Sequence, residues 1–227
     1  VNPVLALTPA QRARAAADWA QIAQLEHASV ASFARFTLQL LALGAPPQLV
    51  SAALQAGLDE VAHAQAAFAI AARLGGAAVG PGPLPLDGDL FGAAGPADLA
   101  AVAAGTFAEG CVNETIGALE ASEAAAACAD PDIRAALERI SEEEARHGEL
   151  AWAVARWALG RGGEPVRGAM SAALHRAGEA LSVSAPPADP DAPALRTVGL
   201  LDERARHALR RLGFEEIVRP TARALGV

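Results

Sequence analysis

Apolar residues return every three or four positions along four long stretches of this chain, and in each stretch a carboxylate interrupts the apolar face. The first stretch opens at Thr8-Pro9, an N-cap and first helical residue, and runs to Leu43-Gly44, where glycine can end it. Its stripe reads Trp19, Ile22, Glu26, Val30 with Ser29, Phe33, Thr37, Leu40. The second begins at about Pro46 or Pro47, ends at Leu74 before Gly75-Gly76, and places Glu60 and His63 on a face with Ala53, Gly57, Ala67 and Ile70. The short Gly44-Ala-Pro-Pro47 link predicts that these two helices are antiparallel neighbours.

Residues 77–96 are rich in Pro and Gly without helical period, which predicts a crossover long enough to travel the length of a bundle. A third helix is expected from about Pro96 to Ala129, with Val102, Thr106, Glu109, Val112 or Asn113, Ile116 and Leu119 inward. After Asp130-Pro131 a fourth carries Ile133, Leu137, Ile140, Glu144, His147, Ala151 and Val154 and ends near Gly160. The remainder holds a helix around Val166 to Leu181, a linker from Ser184 to Pro193, and an amphipathic helix from about Leu200 to Leu225 interrupted near Gly213 and Pro220. The predicted class is all-α: a four-helix bundle of two antiparallel hairpins over residues 1–160, with 161–227 as a C-terminal helical extension too short for its own core.

Composition narrows the partners. The chain has 227 residues, a net charge of −8, 52% hydrophobic residues and no tyrosine. Ala and Arg abundance favours helix. The acidic balance argues against nucleic acid as a partner. Charged or polar residues interrupt every candidate helix, so no membrane span is expected. Cys111 and Cys128, placed on one helix roughly 25 Å apart, are not expected to pair. Unpaired cysteines suggest a reducing, cytoplasmic setting, although the start at Val1 without methionine is compatible with a removed leader.

The candidate chemistry lies in two Glu-x-x-His pairs, Glu60 with His63 and Glu144 with His147, each one hairpin downstream of another glutamate. Residues three apart share a helix face, so each pair can grip one metal or bridge two. Glu26 precedes Glu60 by 34 residues and Glu109 precedes Glu144 by 35. The predicted ligands are therefore Glu26, Glu60, His63, Glu109, Glu144 and His147. Four ionised carboxylates carry a charge that two divalent cations neutralise, whereas a buried unpaired ion costs on the order of several kcal/mol. This donor set favours iron or manganese over copper without separating the two, and the absence of thiolate ligands argues against structural zinc.

Glu114 competes with Glu109, from which it lies about 140° around an ideal helix; the matched spacing selects Glu109 and leaves Glu114 as a possible additional ligand. His27 points about 100° away from Glu26 and is expected outside the site. Asp59 and Glu143, each preceding a ligand glutamate, are expected to accept hydrogen bonds from ligand histidines of the neighbouring helix, Asp59 from His147 and Glu143 from His63. Thr106 and Asn113, about a turn either side of Glu109, can orient dioxygen or substrate, or simply bond between helices.

Over residues 13–160 the pattern resembles the ferritin-like di-iron carboxylate superfamily. Glu144-Ala-Arg-His147 resembles the fourth-helix motif of oxygen-activating members such as acyl-carrier desaturases and bacterial multicomponent monooxygenases. Leu25-Glu-His-Ala-Ser-Val30 and Glu109-Gly-Cys-Val-Asn-Glu114 resemble bacterial ferritin-like domain proteins without an assigned role. The resemblance implies a four-helix bundle with its site at mid-bundle. The expected function is a dinuclear non-haem metal protein with two Fe ions that activates dioxygen to oxidise or oxygenate a small-molecule substrate. No Cys-x-x-Cys pair or flavin motif is present, so an external electron donor is expected; a homodimer is possible. The alternative is an iron-handling ferroxidase or peroxide scavenger without organic substrate. Without tyrosine, a tyrosyl radical is excluded.

Overall fold

Thr8 caps the first long helix, accepting from the Gln11 backbone N–H while the Gln11 side chain accepts from the Thr8 backbone, so both exposed donors are satisfied. A computed structural model describes residues 3–85 and 98–227. A short helix, α1 (Pro3–Ala6), which the sequence pattern did not predict, precedes α2 (Pro9–Ala42); α3 (Pro47–Gly75) follows. Gly44 and Gly76, at φ 64° and 72°, provide the left-handed turns that end these two helices. The hairpin is antiparallel: Leu40 shares a core cluster with Ala53 and Ala56, and Trp19 shares one with Phe68 and Leu74.

Residues 77–85 carry no helix, as the composition predicts; the rest of the expected crossover and the expected helix start at Pro96 lie outside the described residues. The third helical run comprises α4 (Leu99–Thr106), a π-helical segment (Phe107–Glu114) and α5 (Thr115–Ala127). Cys128 is not on this helix. It is the extended residue that ends it, and both cysteines are buried and free. Asp130 then caps α6 (Pro131–Ala180) by accepting from the backbone of Asp132 and Ile133. Within α6 the helix breaks at Gly163 (φ 56°, ψ −136°), a conformation that glycine adopts freely, and Pro165 lacks a backbone donor for continuing across the break. The C-terminal elements are α7 (Ala192–Arg196), α8 (Glu203–Gly213), a π-helical segment (Phe214–Val218) and α9 (Arg219–Ala224).

The protein is all-helical, with no strand among the described residues. Helix α6 packs along the whole third run and along α3, while α3 packs along α2. Phe214, Val218 and Ala222 bury against Phe107, Cys111 and Met170, so the C-terminal helices cover the outer face of the third run. Its inner face meets α2 across a cavity rather than by close packing. No helix among the described residues is long and apolar enough to cross a membrane.

Candidate metal centre

The inward faces of four helical segments converge on one group of acids and imidazoles. Glu26 from α2, Glu60 and His63 from α3, and Glu144 from α6 place donor atoms within 4.8 Å of one another. A second set, Glu60, Glu114, Glu144 and His147, meets the same measure. Glu60 and Glu144 belong to both. The two sets therefore form a continuous, pseudo-symmetric pair in which one carboxylate and one imidazole are unique to each half and two carboxylates are shared.

Both histidines are turned the same way. His63 has Nε2 at 2.8 Å from Glu143 Oε2 and Nδ1 facing Glu144, Glu26 and Glu60 at 3.5, 3.7 and 3.9 Å. His147 has Nε2 at 3.3 Å from Asp59 Oδ2 and Nδ1 facing Glu60, Glu144 and Glu114 at 3.3, 3.7 and 3.9 Å. Each Nε2–H donates outward to a carboxylate, which fixes the ring and turns Nδ1 into the cluster. Asp59 and Glu143 thus have the partners expected from their positions, and Arg146 lies between them at 3.9 and 3.4 Å. Phe33 closes over the His147 ring edge-on, with centroids 5.1 Å apart.

Four buried side-chain atoms have no hydrogen-bond partner among the described residues: His207 Nε2, away from the cluster, and three within it, Glu60 Oε2, His63 Nδ1 and His147 Nδ1. These three belong to the donor sets, and an unsatisfied buried polar atom costs on the order of 1–3 kcal/mol. A cation at each set satisfies them together. The residues present therefore fit a pair of metal ions by chemistry and by orientation.

The third-helix carboxylate in the cluster is Glu114, and this corrects the expectation for Glu109. The Glu109 side chain is 63% exposed and pairs with Arg35 at 3.3 Å. The reason is the π-helical segment, whose wider turns take in an extra residue. Glu109 and Asn113 line the cavity at their exposed edge, whereas Thr106, Gly110, Glu114 and Gly117 line it on the less exposed side, stepping by four through the π-helical segment where an ideal helix steps by about 3.6. Register agrees: a Cβ on Gly110 would meet Ala151 at 2.4 Å, so Glu109 lies level with the turn beyond His147, whereas Gly117 approaches Glu144. Composition carries no signal for this slip. The signal within reach was Glu114 itself, a second acid on the same helix.

The remaining expected residues have simpler roles. Thr106 is buried and donates to the Val102 carbonyl at 2.9 Å. Asn113 is exposed and lines the cavity. His27 belongs to neither donor set.

Without metal the cluster holds protons. Burial, reinforced by Glu144 and Glu60 and opposed by His147, lifts Glu114 to a pKa of about 9. Burial likewise raises Glu60 to about 7, against the lowering effect of His147. Burial disfavours charge on the imidazoles, but the acids prevail: Glu144, Glu26 and Glu143 raise His63 to about 10, and Glu114, Glu144 and Glu60 raise His147 to about 12. Burial alone would raise Glu144, yet Glu114 and the two positively charged imidazoles facing it hold it below the usual carboxylate range.

A cavity of about 1290 Å³ opens onto Glu26, Glu114, Glu144 and His147. It runs between α2 and the third helical run, from Trp19 and Leu201 at one end to Gln39 and Ala42 at the other. Its walls combine apolar side chains with many polar ones, including six carboxylates and two arginines, and its volume far exceeds the space dioxygen needs. Comparison with family models, with curated proteins and with solved structures finds no match to this chain.

Proposed function

We propose that this chain is a ferritin-like four-helix bundle that holds two metal ions, iron foremost and manganese as the alternative, and acts as a non-haem oxidase or oxygenase on a small organic substrate. The observation that carries this reading is the pair of four-donor sets sharing Glu60 and Glu144, with orphaned imidazole and carboxylate atoms aimed into them. Glu26 and His63 would hold one ion, Glu114 and His147 the other, and Glu60 and Glu144 both. Iron held by these residues would supply redox chemistry toward dioxygen, with electrons drawn from an external donor.

The protein's own groups do the rest. Glu143 and Asp59 keep each imidazole in the tautomer that presents Nδ1. Phe33 excludes water from the His147 side. The cavity beside the cluster supports an organic substrate over iron storage.

The test is anaerobic loading with Fe(II) followed by exposure to dioxygen. Two irons per chain, oxygen uptake that a chemical reductant sustains, and no ferric mineral with excess iron are the expected results. Continuous oxidation of added Fe(II) into a mineral would point to iron handling, and absence of oxygen uptake by iron-loaded protein would contradict both.

A further inference from the structure

We propose that the cavity takes an elongated organic carboxylate, with Arg35 receiving its anionic end and Glu109 being the group that end displaces. This rests on the reading above in one respect, that the cavity admits an organic molecule.

Two arginines line the cavity. Arg206 is committed: it faces Glu120 at 3.5 Å and Glu203 at 4.0 Å, and donates to the Leu201 carbonyl at 3.3 Å. Arg35 has a single ion-pair partner among the described residues, Glu109, through one contact of 3.3 Å from Nη2. Both side chains of that pair are well exposed, at 42% and 63%, and such pairs contribute about 1 kcal/mol at most. A guanidinium offers a planar fork suited to a bidentate carboxylate, so Arg35 can exchange a single weak contact for a better one at small cost. The pair spans the side of the cavity where α2 and the third helical run do not pack closely.

The surroundings define the rest of the ligand. Ser32 and Gln39, three residues before and four after Arg35, share its helix face and line the cavity, adding polar contacts at the charged end. From there toward the cluster the wall carries the apolar Phe33, Leu150 and Ala151, with Ser29, Thr106 and Asn113 beside them. Glu26 is nine residues before Arg35 on the same helix, roughly 14 Å along its axis. A ligand anchored at Arg35 therefore needs an apolar body of that order to bring a carbon to the carboxylate cluster. Trp19 and Leu137 continue the apolar wall beyond it, so a longer tail is accommodated. An amine at the charged end would face Arg35, and a short polar acid would leave the apolar wall unfilled.

The test is calorimetric titration of decanoate, decylammonium and acetate into the full chain, once stripped of metal and once loaded anaerobically with Fe(II). Decanoate should bind, and the other two should not. Arg35→Gln should weaken decanoate on the order of tenfold or more, while Glu109→Gln should tighten it severalfold by releasing the guanidinium. Loss of fold would weaken both variants, so opposite changes from the two partners of one ion pair identify the anchor. Equal affinity in wild type and Arg35→Gln, decylammonium bound as tightly as decanoate, or no decanoate binding by wild type overturns the proposal. A chain that loads two metals but ignores decanoate overturns the ligand alone. One that binds decanoate through Arg35 yet takes up no metal overturns the oxidase reading alone.

Discussion

The two halves of the cluster present the same kinds of donor from different backbones. On the α2–α3 side, Glu26, Glu60 and His63 ride on uninterrupted α-helices, and a Cβ on Gly57 would meet Phe33 at an ordinary 3.4 Å. On the other side, Glu114 reaches the cluster only because Phe107–Glu114 is π-helical, and the helices there approach so closely that a Cβ on Gly110 would come within 2.4 Å of Ala151. Equal chemistry at the two positions does not require equal spacing. Counting residues transfers a ligand from one half to the other only where the helical period is constant.

The largest effect should come from the carboxylates common to both halves. Glu60→Ala or Glu144→Ala removes a donor from both sets and should abolish uptake of both metals, whereas His63→Ala or His147→Ala should impair chiefly one; elemental analysis after anaerobic loading checks this. Next come the outer carboxylates. Glu143→Gln and Asp59→Asn each remove the acceptor that orients one imidazole, and each should weaken metal binding about 10–100-fold. The Glu143 variant should act on the His63 half and the Asp59 variant on the His147 half, read by competition with a chelator.

Metal removal should leave a protein whose stability falls as pH rises. Glu114 at about 9 and Glu60 at about 7 bind protons above the range of an unfolded glutamate, near 4.5, and His63 at about 10 and His147 at about 12 do so above 6.5. The folded state then holds more protons than the unfolded one, so its advantage is complete below the unfolded values and is lost as pH climbs through the folded ones. Melting temperature in chelator should decline from about pH 4.5 toward pH 9, and metal, by displacing those protons, should flatten the decline. A metal-free melting temperature that rises across that window would contradict the sign.

The smallest effects test the backbone contrast. Gly110→Ala should destabilise by about 1–3 kcal/mol through overpacking, while Gly57→Ala should be neutral or stabilising by up to about 1 kcal/mol through helix propensity. Thermal or urea unfolding distinguishes them; equal effects would show that the π-helical side is packed no more tightly than its counterpart.

Much of this architecture was legible in the sequence because period and capping chemistry are local. Every residue assigned to the inward stripe of α6, from Ile133 to Val154, is buried, and the stop at Gly76, the Thr8 cap and the break near Gly160 to Gly163 have plain chemical signatures. The bonds from His63 to Glu143 and from His147 to Asp59 were legible because one residue precedes each ligand glutamate on a helix of ordinary period. Glu114 was not selected, because counting at a constant helical period singles out Glu109, and the π-helical segment that shifts the register has no signature in that count. The cavity was beyond reach for a related reason: it depends on how far α2 stands from the third helical run, a distance no pattern within either helix records.

The most direct test of the dinuclear site is the iron content of the chain after anaerobic loading, measured in wild type, Glu114→Ala and Glu109→Ala together. Two irons in wild type, loss in Glu114→Ala and two retained in Glu109→Ala is the predicted result. One iron or none in wild type, or loss in Glu109→Ala with retention in Glu114→Ala, would contradict it.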